Sequence, residues 1–192
     1  MPAHASRPHT TPPIGHTLFD TAIGRCGIAW SADAIVQVNL PMPDDAQTRE
    51  RLLHDWPDTP RAEPTALARD AIAGVVALMR GEPRDLLEIR LDMAGVAAFE
   101  RRVYELTRAI APGHTRTYGE IARDMGEPGA SRAVGRALGR NPFAPIVPCH
   151  RVLAAGGATG GFSANGGVAT KMRMLLIEGA RVNHTPDLFD QN

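Results

Sequence analysis

The chain has 192 residues, enough for one substantial domain or two small ones, and its 43% hydrophobic content excludes a disordered protein. The formal net charge is zero, yet residues 1–92 carry 9 Arg against 13 acidic side chains, and residues 93–181 carry 12 basic against 6 acidic ones. A basic half joined to an acidic one fits a nucleic-acid-binding module beside a neutral or acidic unit; a chance fluctuation of charge would look the same.

Along the chain, residues 1–16 are rich in Pro, His and Thr and lack the apolar core of a signal peptide, so they read as a tail on a cytoplasmic protein. No run approaches the roughly 20 apolar residues that span a bilayer, so no membrane partner is expected. Residues 19–40, "FDTAIGRCGIAWSADAIVQVNL", contain short β-prone runs broken by Gly24, Gly27 and a polar "SAD", which predicts a hairpin or meander. "PMPDD" breaks it. Residues 64–80 carry apolar side chains at helical spacing, opening on a proline and stopping before Gly81. Residues 86–91, "LLEIRL", alternate enough to predict one more strand.

The second half reads as helical. Phe99, Val103, Leu106 and Ile110 fall on one helix face. "YGEIARDMG" and "SRAVGRALGR" predict two short helices across the turn "EPGA", with Ser131 placed to cap the second. Such a pair is the helix-turn-helix pattern, although many helix pairs bind nothing. A glycine-rich loop, "AAGGATGGFSANGG", then precedes a last helix closed by Gly179.

The two cysteines, Cys26 and Cys149, are too few for a disulfide framework or a thiolate zinc site. His4, His9 and His16 lack ligand spacing, so no metal is expected. Cys149 sits in "IVPCHRV" beside His150 and Arg151. A free thiol titrates near 8.5 and needs a base or a positive neighbour to become a nucleophile. Neighbouring side chains on an extended segment point opposite ways, so the imidazole would need a bridging water or a turn at Pro148. Glu178 is a candidate to fix its tautomer. Taken alone, the same residues also fit a small buried hydrophobe that does nothing.

"PCHRV", preceded by "RAVGRALGRNP", "YGEIA" and "FERRVYE", resembles the methylated-DNA–protein-cysteine methyltransferases, the O6-alkylguanine-DNA alkyltransferases. The resemblance is strong over residues 96–179, and "FDTAIGRCGIAW" is similar to the family's opening strands. It implies an α+β chain: a tail over 1–16, a small N-terminal α/β domain of ribonuclease H-like type over 17–92, a winged helix-turn-helix-like C-terminal domain over 93–180, and a tail over 181–192. It implies that Cys149 accepts an alkyl group from O6 of guanine once, irreversibly. His150 would be its water-linked base, Glu178 the group orienting that base, and Asn141 the holder of the active-site turn.

The resemblance further implies that Arg132 enters the base stack while Tyr118 helps rotate the nucleotide out. Ala133, Gly135 and Arg136 would complete the DNA-binding helix. Tyr118, Val152, Phe162 and Ser163 would line the substrate pocket. The implied partner is double-stranded DNA containing O6-alkylguanine, met by a monomer without cofactor or metal. A noncatalytic relative that only flags alkylated DNA is the alternative, but such proteins lack the cysteine. Phe162 replaces the family's frequent tyrosine, Ala144 a frequent proline, and the loop after the site is longer than the common form.

Overall fold

The computed structural model describes residues 11–180. Strands β1 (Gly15–Thr21), β2 (Gly24–Trp30) and β3 (Ile35–Asn39) form an antiparallel sheet in that order. Gly24 makes the first turn at φ 123°, and Thr21 Oγ1 donates to its carbonyl at 2.6 Å. The expected meander therefore exists, but its first strand begins at Gly15 rather than after a tail ending at 16. His16 explains the shift: it is buried, and its backbone N–H donates to Pro60 O at 3.1 Å. Residues 1–10 and the expected tail 181–192 lie outside the described residues.

Helix α1 (Asp45–Leu52) follows the sheet, capped by Asp44, whose carboxylate accepts from Gln47 N at 2.7 Å. The sequence offers almost no apolar stripe there, since only Thr48 and Leu52 are buried. Helix α2 (Ala66–Leu78), capped by Thr65, lays Ala68, Ala71, Val75 and Leu78 against Cys26, Ile28, Trp30 and Val38. These residues form the first core.

The strand expected over 86–91 is absent: Leu86 takes φ 57° to bury its side chain, and only Leu91 makes a single bridge, to Ile35. Arg108 Nη2 instead donates to the carbonyls of Leu86, Leu87 and Ile89 at 2.7, 3.1 and 3.0 Å. A side chain thus takes the acceptors that a partner strand would have used.

The second core is built by α3 (Ala98–Arg108), α4 (Tyr118–Asp124) and α5 (Ser131–Gly139). In α3 the expected face packs into this core, with Val103 and the following Ile110 buried and Phe99 and Leu106 half-buried against it; Tyr104 and Thr107 widen the buried stripe. Thr117 and Glu120 form a reciprocal capping box on α4. The expected Ser131 cap is not found; Ser131 is the first helical residue, and Ala130 before it has no side-chain cap. Two-residue strands β4 (Arg116–Thr117) and β5 (Val152–Leu153) pair in parallel behind the helix pair, and α6 (Gly167–Ile177) closes the chain. The described residues form a mixed α/β fold with a small antiparallel sheet and six helices. No helix among the described residues is long and apolar enough to cross a membrane.

Candidate active site

The two cores meet at the segment carrying the cysteine. Val38 N on β3 donates to Pro142 O at 2.9 Å, so the sheet edge pins the chain seven residues before Cys149. Asn141 ties the rest: its Nδ2 donates to Val147 O at 2.8 Å, and its Oδ1 accepts from Phe143 N at 3.0 Å. Pro148 then leads into a single 3-10 turn, Cys149–Arg151. The segment is therefore not extended, which removes the premise that adjacent side chains must point apart.

Around this turn the polar groups are buried and paired. His150 Nε2 lies 2.8 Å from Glu178 Oε1, and both side chains are fully buried. Arg151 Nε and Nη2 donate to the two oxygens of Glu178 at 2.8 and 2.9 Å, and its Nη1 donates to Ile110 O at 2.6 Å. Burial pushes the Glu178 carboxyl up, but the hydrogen bonds and charges of His150 and Arg151 outweigh it and hold the group at about 2. An ionised Glu178 must accept, so His150 carries its proton on Nε2. Burial lowers the imidazole's own pKa, with Glu178 opposing, so the ring is neutral at pH 7. Its Nδ1 is left as a lone pair with no hydrogen-bond partner among the described residues.

The thiol is a resting acid. Burial pushes the Cys149 pKa up, while a hydrogen bond from Asn141, the charge of Lys171 and the backbone N–H groups of Cys149 and His150 pull it back. Lys171 is the chain's one lysine, and it is fully buried. Its Nζ donates to Val152 O at 2.7 Å and Thr159 O at 2.6 Å, and it lies 5.7 Å from the Tyr118 ring centroid and 6.0 Å from that of Phe162. Burial lowers its pKa to about 8, with Cys149 opposing.

Cys149 forms the floor of a cleft of about 770 Å³. Tyr118 and Gly119 of α4, Ser131, Arg132, Gly135 and Arg136 of α5, and Phe162 and Ser163 of the glycine-rich loop line it. Gly160 lets the loop cross Tyr118: its φ is +66°, and a Cβ there would lie 3.1 Å from the ring. Arg132 and Arg136 are exposed on the cleft side of α5. Of the expected pocket residues, Tyr118, Phe162 and Ser163 line the cleft; Val152 does not, being fully buried in the second core with its carbonyl on Lys171. Ala133 is half-buried beside the cleft residues without lining it.

Sequence reasoning missed Lys171 and the role of Arg151. The signal for the first was present: among 21 Lys and Arg residues, 20 are Arg, so a solitary lysine marks a place where arginine was not used.

A buried thiol beside a carboxylate-backed imidazole, at the bottom of a cleft rimmed by a helix pair and two arginines, defines a cysteine-centred acceptor of groups presented by a polyanion. Comparison with known proteins gives the family. Residues 98–180 match the model of the 6-O-methylguanine DNA methyltransferase DNA-binding domain. A methylated-DNA–protein-cysteine methyltransferase of Mycolicibacterium paratuberculosis is 38% identical over 92% of this chain and 99% of its own length. That of Mycobacterium leprae is 43% identical over 90% of this chain and 96% of its own. The crystal structure of Mycobacterium tuberculosis OGT in complex with DNA superposes with a TM-score of 0.70 at 32% identity, covering 86% of this chain and 93% of that one. The chain belongs to the methylated-DNA–protein-cysteine methyltransferase family.

Proposed function

We propose that the protein repairs DNA by moving the alkyl group of O6-alkylguanine onto Cys149 in a single irreversible step. The observation that carries the reading is Cys149 itself, seated on the floor of the cleft in a chain of this family and backed by the His150–Glu178 pair. O6 of guanine is not reachable by a buried thiol while the base is stacked and paired, so the nucleotide has to leave the helix, at a cost of a few kcal/mol. Arg132 on α5 fills the gap in the stack, and Tyr118 at the cleft wall steers the nucleotide in. Ala133, Gly135 and Arg136 set α5 against the groove and the phosphates.

Proton transfer runs from Sγ to His150 Nδ1, relayed by water. The sulfur lone pair forms the S–C bond as the C–O6 bond breaks, its electron pair stays on the base, and guanine regains a proton at N1. Glu178 stabilises the transient imidazolium across 2.8 Å. Asn141 keeps Sγ aimed at the cleft. The thioether product has no leaving group, so each molecule acts once, without cofactor. Tyr118, Phe162 and Ser163 form the wall against the flipped base.

The sheet with α2 is read as a ribonuclease H-like unit over 17–92, and the α4–α5 pair with β4–β5 as a winged helix-turn-helix unit over 93–180. The working form is a monomer on duplex DNA. A Cys149→Ala variant is expected to bind alkylated duplex as the parent does while transferring nothing. Transfer by that variant would refute the assignment, and a lesion-binding parent with no transfer would favour the noncatalytic alternative.

A further inference from the structure

The sequence holds one asparagine followed by glycine, Asn165–Gly166, in the loop between the cleft wall and α6. Such a pair can react with itself. The backbone nitrogen of the second residue closes on the side-chain carbon of the first when three conditions hold: the asparagine side chain can swing, the N–H is unengaged, and the second residue is small. The other asparagines among the described residues fail these conditions. Asn39 is buried, and Asn141 is followed by Pro142, which has no N–H.

Asn165 meets all three. It is exposed, and no hydrogen bond holds its side-chain amide among the described residues. The Gly166 N–H likewise has no acceptor there, whereas the next one, on Gly167, donates to Ala164 O at 2.9 Å. Two features make the Gly166 nitrogen a stronger acid than an ordinary amide. Thr170 Oγ1 donates to Asn165 O at 2.7 Å, so the charge left on this peptide group by loss of the proton is hydrogen-bonded. The group also sits at the N-terminus of α6, where Gly166 as N-cap offers no side chain to the first turn. Any residue but glycine is strained at 166: its φ is +79°, and a Cβ would lie 2.3 Å from Thr170 Oγ1.

We infer that Asn165–Gly166 is a site of spontaneous modification that retires unused protein by altering the cleft wall. In the step, hydroxide takes the Gly166 amide proton and the nitrogen bonds to Asn165 Cγ. The C–N bond of the side-chain amide breaks, ammonia leaves with a proton from water, and a cyclic imide results. Water then opens the ring at either carbonyl. One opening gives aspartate; the other gives isoaspartate, whose backbone runs through the former side chain and is one methylene longer. Both add a negative charge beside a cleft read as meeting a polyanion. The longer backbone lies between Ala164, packed on the first core, and α6, which carries Lys171. Phe162 and Ser163, just before it, line the cleft, so the added length displaces the wall. The effect on activity rests on the alkyl-transfer reading of Cys149; the chemistry of the loop does not.

The full chain is aged at neutral and mildly alkaline pH, and its tryptic peptide 152–171 is followed by mass spectrometry. The peptide is expected to gain the mass of OH in place of NH2, at a rate that rises with hydroxide, in step with loss of transfer from duplex containing O6-methylguanine. Asn165→Ser, a change on an exposed side chain without partners, should keep its mass and its transfer rate through the same ageing. Thr170→Val, which removes the donor to Asn165 O, should age about fivefold more slowly, the scale of one hydrogen bond. A folded chain whose peptide stays unchanged while the urea-unfolded chain converts would overturn the inference. So would a Thr170→Val variant that ages as fast as the parent, or full conversion with undiminished transfer. A fresh parent that transfers nothing would refute only the reading of Cys149, because the peptide's mass still decides whether the loop modifies itself.

Discussion

At the scale of single residues, Glu178 joins stability to chemistry. Its carboxylate is fully buried and accepts from both His150 and Arg151, which is why it titrates at about 2 instead of its ordinary 4.5. A carboxyl lowered in the folded state adds stability that is complete above its unfolded value and fades as pH falls towards its folded one. The contribution of Glu178 is therefore present above about pH 4.5 and lost between there and about pH 2. Glu178→Gln should flatten that part of the curve of stability against pH, measured by denaturant melts at each pH; an acid limb as steep as the parent's would contradict the assignment. The same variant should slow transfer by about 10²-fold, the usual contribution of a well-held general base. His150 and Glu178 were legible in the sequence because both flank recognisable motifs. Lys171 left only a compositional trace, as the one lysine beside 20 arginines; its burial and the placement of its Nζ on the carbonyls of Val152 and Thr159 leave no mark in the sequence.

At the scale of elements, α5 and the turn carrying Cys149 do different work and can be separated. Arg132 stands exposed on α5, at the rim, whereas Cys149 is buried at the floor. Arg132→Ala should slow transfer from duplex DNA at least about tenfold, because only a duplex demands extrusion of the base at a cost of a few kcal/mol. Reaction with free O6-benzylguanine should be nearly unchanged. Equal losses on both substrates would remove the intercalating role. The helix pair was readable from periodicity and from the break at "EPGA". The 86–91 segment was misread because alternation in sequence says nothing about who supplies the hydrogen bonds. Here Arg108, from a helix some twenty residues on, takes the carbonyls. Helix α1 escaped for the opposite reason: its stability comes from the Asp44 cap and two buried contacts, with too little apolar periodicity to detect.

At the scale of the whole molecule, the site lies where two cores join, so the acidic first half contributes to chemistry placed in the basic second half. Val38 holds Pro142, Arg108 holds the 86–89 turn, and Phe162 packs against both cores. None of these contacts shows in composition or motif, since each pairs residues far apart in sequence. Arg108→Met should leave three carbonyls without their donor and cost about 1–3 kcal/mol in stability, measured by urea unfolding. An unchanged midpoint would show that the units hold together without it. The claim on which the rest depends is that Cys149 is a one-use acceptor. The direct measurement is peptide mass spectrometry after incubation with excess duplex containing O6-methylguanine. The expected result is one methyl per protein molecule, on the peptide carrying Cys149, with guanine restored in the DNA. A methyl-free Cys149 peptide, or methyl loss from DNA continuing beyond one equivalent of protein, would contradict it.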